Sequence, residues 1–107
     1  MNFETLVEEV KRVPCQEMRR QESHYLEVVF SVAGLQTLAP VLESYFGPPM
    51  KPAGKAPSGD AKRYSEPYGG IRKEQTMYFH QEAGQAAAAM LWPWNCGTTV
   101  TLKMFRK

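Results

Sequence analysis

The sequence predicts an α+β fold: a four-stranded, mainly antiparallel sheet with two helices packed on one face, in the order α-β-α-(long loop)-β-β-β. Three observations lead there. Two segments in the first half space their apolar residues as a helical face does. Four segments alternate apolar and polar residues with the period of a strand. Between the two halves runs Gly47–Gly70, GPPMKPAGKAPSGDAKRYSEPYGG, whose proline, glycine and lysine content suits neither pattern. The 107 residues suit one domain, 1–107, with this long loop at 47–70.

Phe3, Leu6, Val7 and Val10 form one helical stripe. Asn2 is placed to cap it, Glu4 falls in the first turn, and Lys11 and Arg12 in the last, the charge order that suits the helix dipole. Pro14 ends the helix, and residues 15–23 are polar and without a period. His24–Val32 reads as a strand. Gly34 breaks it, and Leu35, Leu38, Leu42, Tyr45 and Phe46 mark a second helix. Thr37 is the expected N-cap there, which would leave Pro40 in the first turn, and Gly47 the C-terminal stop. Beyond the loop, strands at Ile71–His80, Ala86–Trp94 and Thr98–Phe105 form a meander, joined by turns at Glu82-Ala83-Gly84 and Asn95-Cys96-Gly97. Alternation places Val28, Phe30, Met77, Phe79, Ala87, Ala89, Leu91, Val100, Leu102 and Met104 against the helices. The outer face then carries Tyr25, Glu27, Tyr78, Met90, Trp92, Trp94, Lys103 and Phe105.

The formal net charge of +2 is too small to imply a nucleic-acid partner, but it is unevenly spread. Residues 1–46 hold four Lys/Arg against seven Glu, and residues 47–107 nine basic against four acidic residues. Such asymmetry marks either an anion-binding face or two solvated surfaces. The N-terminus lacks a signal-peptide pattern and no segment has the ~20 apolar residues of a membrane span, so a cytoplasmic protein without membrane contact is expected. In that compartment Cys15 and Cys96 are expected as thiols, Cys15 buried as a small apolar group.

No local motif establishes a chemistry. Lysines among glycines at 47–70 suggest a phosphate cradle, yet six residues rather than four separate Gly47 from Gly54, and Ala56 stands where a P-loop needs Ser or Thr. Cys15, His24, His80 and Cys96 have no local chelate spacing, and Asp60 is the only aspartate, so no metal or cofactor is expected. A Cys96–His80 dyad would span the strand Ala86–Trp94, a separation of about 30 Å. No catalytic residue is assigned.

The outer sheet face is the strongest lead. Its aromatic residues, with basic groups nearby, exceed what a solvated face needs. The expected function is a non-catalytic binding or protein-interaction module that uses Tyr25, Tyr78, Trp92, Trp94 and Lys103 together with Lys55, Arg63 and Tyr64 of the loop. Its expected partner is a second copy of the chain or another protein, and a homodimer is one such form. A small anionic or aromatic ligand under the loop is the next reading, as a binding site or as the substrate of a small enzyme joining Lys62, Tyr64 or Tyr68 to Glu27 or His80. A nucleic-acid module would instead place Arg72, Lys73, Lys103, Arg106 and Lys107 on phosphates and stack bases on Tyr78, Trp92 and Trp94. The segment Pro49–Pro67 is expected to be the most mobile.

Overall fold

Asn2 Oδ1 accepts the Thr5 amide at 2.8 Å and starts the first helix, α1 (Phe3–Arg12), whose Phe3, Leu6 and Val10 are buried. The structure is a computed structural model that describes residues 2–82 and 84–106, the side chain of Glu82 excepted. After α1 come β1 (Glu17–Gln21), β2 (Tyr25–Ser31), a 3-10 turn (Val32–Gly34) and α2 (Leu35–Phe46). Then follow α3 (Gly59–Ser65), a second 3-10 turn (Glu66–Tyr68), β3 (Thr76–Glu82), β4 (Gln85–Pro93) and β5 (Thr99–Arg106). The α+β class stands, with five strands in place of four and three α-helices in place of two.

The sheet is antiparallel throughout, in the order β1-β2-β5-β4-β3. β1 lies in the stretch without an apolar period. EMRRQ is exposed at every residue, so hydrophobic alternation had nothing to register. As an edge strand it carries three charges and a bulge between Met18 and Arg20, features that discourage further strand pairing.

On one face, α1 and α2 pack against Leu26, Val28, Phe30, Leu91, Val100, Leu102 and Met104. The Ala87 and Ala89 side chains lie on this face too, and their small size suits close helix approach. Ser31 Oγ accepts the Gly34 amide at 3.1 Å, and α2 begins directly after that turn. Thr37 is therefore inside the helix rather than its cap. Pro40 lies one turn deeper than expected, on the exposed side, where its missing N–H leaves one helical bond unmade.

The other face is covered as well, by the segment read as a loop. Ser58 Oγ accepts the Ala61 amide at 3.2 Å and caps α3, and Ser65 Oγ donates to the Ala61 carbonyl at 2.6 Å. Ala61, Ile71, Met77, Ala88, Met90 and Phe105 form a second core there. Upstream, Lys51 pairs with Met77 through both backbone bonds, 2.9 and 3.1 Å, on the free edge of β3. The Lys51 side chain is buried, and its ammonium donates to the carbonyls of Lys73, at 2.5 Å, and Gln75. Burial lowers its pKa, partly offset by Glu74. The segment Pro49–Pro67 thus touches the sheet at Lys51 and through α3, with the residues between them mostly exposed, and the helices lie on both faces of the sheet rather than one.

The faces of β2, β4 and β5 agree with the alternation, but β3 is inverted. Glu82 pairs with Gln85, so two residues separate the strands where a three-residue turn was expected. That single step brings Phe79 opposite Ala88 and Met77 opposite Met90, both on the α3 side. Tyr78 turns to the helices. Both faces being buried, either register hides apolar groups, and composition alone does not choose. Ala83 of this turn lies outside the described residues.

Candidate functional site

The eight residues expected to form the site divide into three groups. Tyr78 leaves it: it is buried in the helix-side core, its ring centroid 5.9 Å from that of Phe46. Burial raises its hydroxyl pKa. Tyr64 packs on Phe79 with centroids 4.5 Å apart and helps to hold α3 down, while Arg63 is exposed and paired with Asp60 at 3.0 Å. Lys55 is exposed on the turn before α3. Tyr25, Trp92, Trp94 and Lys103 do come together, on the part of the outer face that α3 leaves uncovered.

Their positions follow from register. Tyr25 opposes Phe105 across β2 and β5, Trp92 opposes Thr101 across β4 and β5, and Lys103 lies between. Tyr25 stacks on Tyr68 at 5.7 Å, and Tyr68 on Phe105 at 3.6 Å, so the second 3-10 turn is fastened by aromatic rings. The Tyr25 hydroxyl donates to Glu27 at 2.6 Å; burial, then that carboxylate, raise its pKa. Lys103 Nζ donates to the Tyr68 carbonyl at 3.1 Å and lies 3.5 Å from the Trp92 ring centroid. Burial lowers its pKa, countered by Glu27. Gly69, with φ near 105°, lies so close over the indole that a Cβ there would meet Trp92 Cη2 at 2.6 Å.

Trp94 reaches furthest. Its indole donates to Thr101 Oγ1 at 2.7 Å, and the Arg19 guanidinium lies 5.3 Å from its ring centroid. From the residue after β4 the side chain thus lies against β5 and meets Arg19 reaching in from β1, and it stays 41% exposed. Arg19 is held in turn by Glu17 at 2.7 Å and Glu27 at 3.7 Å. Arg20 lies 4.9 Å from the Tyr25 ring centroid and pairs with Glu22. Both arginines come from β1, a stretch without an apolar period, so no periodic signal places them here. Beside Trp94 is a groove of about 360 Å³ walled by Gly69, Arg72, Gln75, Trp92 and Thr101. The Trp92 indole N–H is buried without an acceptor.

The residues of the rival readings are spread over both faces, although Tyr68 stacks on Tyr25 and so lies near Glu27. Beneath α3, between Tyr64, Phe79 and Phe105, the void is about 10 Å³, room for a single water and not for a ligand. Of the residues expected to bind nucleic acid, Tyr78 is on the other face, Arg106 is tied to Glu4 at 2.6 Å, and Lys107 lies outside the described residues. The loop lysine Lys51, a candidate for phosphate, is buried and gives two of its three donors to carbonyls. Cys96 and His80 lie toward opposite ends of β4. Cys15 is exposed rather than buried, and both thiols are unpaired. Among the described residues no helix is long and apolar enough to cross a membrane. No protein-family model matches the chain, and no curated protein or solved structure is significantly similar to it.

Proposed function

We propose that this protein is a non-catalytic interaction module whose contact surface is the groove between Trp92, Trp94 and Arg72, with Arg19 and Lys103 at its margin. The partner is a protein surface that offers an apolar group to the groove and carbonyl or carboxylate acceptors to its rim. The observation that carries this is Trp94: a tryptophan 41% exposed, held in place by Thr101 and Arg19 beside an open groove. Preorganised Trp and Arg side chains are the residues that dominate protein interfaces, because they bury much area for little lost freedom.

Native mass spectrometry of gently purified wild-type protein and Trp94→Glu tests it. The expected result is a complex in the wild type, with a second copy or with another chain, that the variant loses while its circular dichroism stays unchanged. A wild-type protein that is monomeric at every concentration and carries no partner contradicts the proposal. So does a complex that survives the substitution.

A further inference from the structure

The chain has two histidines, 56 positions apart, and both line one cleft. It lies on the helix side of the sheet, at the end opposite the Trp94 groove, and encloses about 500 Å³. His24 comes from the β1–β2 turn, His80 from β3, Arg106 from the end of β5, Tyr45 from the last turn of α2, and Asn2 and Glu4 from the start of α1.

Arg106 is the fixed point of the cleft. One of its N–H groups donates to Glu4 at 2.6 Å, its guanidinium lies 4.9 Å from the Phe3 ring centroid, and the side chain is only 22% exposed. A guanidinium has five donors, so one carboxylate leaves others to point elsewhere. The exposed His24 imidazole carries at least one further N–H in either tautomer. The first turn of α1 adds the positive end of its dipole. Against these, Glu4 is the one carboxylate among the described residues that line the cleft, and the bond from Arg106 holds its pKa low.

We propose that this cleft is a binding site for a small molecule bearing an oxyanion, a phosphate or a carboxylate, gripped by Arg106 between His24 and His80. The volume falls in the ordinary range for small-ligand sites. Arg106 and His24 bring N–H donors to its walls, the groups that recognise an anion. This site is independent of the Trp94 groove, which lies on the other face.

Titration of the ¹⁵N-labelled protein with inorganic phosphate and, separately, acetate tests the assignment, with sodium chloride matched for ionic strength as the control. The expected result is saturable shifts at the His24 and His80 rings and the Arg106 Nε–H for at least one anion. Phosphate alone points to a phosphorylated ligand; acetate binding as well admits a carboxylate. Arg106→Gln is expected to weaken binding at least tenfold. Glu4→Gln removes the competing charge and keeps a neutral partner for Arg106, so it is expected to tighten binding severalfold. Absence of saturable shifts with both anions overturns the proposal, as does binding unchanged by Arg106→Gln. Should that variant fail to fold, Glu4→Gln decides: tighter binding supports the site, and equal or weaker binding overturns it.

Discussion

A thiol on an exposed turn ordinarily stays protonated at neutral pH, and Cys96 departs from that for a local reason. The Thr98 hydroxyl lies 3.4 Å from its sulfur, and hydrogen bonds from Thr98 and Thr99 bring its pKa from 9.0 down to about 7. Thiolate is the nucleophile, so alkylation of Cys96 by iodoacetamide is expected to be half-maximal near pH 7 in the folded protein. In Thr98→Val the midpoint is expected to move up toward 9.0. A wild-type midpoint already near 9.0 would show that the turn does not donate to sulfur. The linkage has a definite sign. The folded-state pKa is depressed, so this group's contribution to stability is present above pH 9.0 and is lost as pH falls through about 7. Trp92 and Trp94 show the same local logic in a different form. Trp94 has its acceptor in Thr101, while the buried Trp92 N–H has none.

Lys51 decides whether the crossing segment is an element or a loose connection. Its backbone closes the edge of β3, and its buried ammonium ties the 72–75 turn to that edge through two carbonyls. Lys51→Met keeps the aliphatic stem and removes the donor, leaving those carbonyls unpaired. Urea unfolding is expected to show a loss of about 1 to 3 kcal/mol. A change below about 0.3 kcal/mol would mean that water replaces the ammonium and that the tie is incidental. The elements differ in how far they could be read from the chain. α1 and β2 were legible because one side of each is apolar and the other polar. α3 was not, although Ser58 at its cap, Asp60 in its first turn and Lys62 and Arg63 in its last are ordinary helix signals. Seven residues are too few to show a period, and the five prolines and five glycines of 47–70 outweighed them. β3 was legible as a strand but not as to face, which one residue of turn length decides.

At the scale of the molecule, the sheet separates two surfaces of unlike character. The helix side ends in a polar cleft with both histidines, and the other side ends in a groove lined by Trp92, Trp94, Arg72 and Glu74. The aromatic face was legible because β4 and β5 alternate cleanly, so Trp92, Trp94 and Lys103 could be grouped from sequence. Its cation rows were not, because Arg19 and Arg20 arrive from a strand that buries nothing. The histidine cleft could not be read at all, since residues 24, 80 and 106 meet only through strand order. α3 and the second 3-10 turn lie against the outer face and leave the Trp94 end of it open. Amide exchange of the isolated protein tests this most directly. Gly70 donates to Ser65 at 2.9 Å and Lys62 to Ser58 at 3.0 Å, so both amides should be protected only if the layer is closed. At least about a hundredfold slowing is expected at Lys62 and Gly70, equivalent to an opening that costs roughly 2.7 kcal/mol, with Val28–Phe30 slower still. Exchange at the unstructured rate through residues 61–70, with Val28–Phe30 protected, would contradict the account.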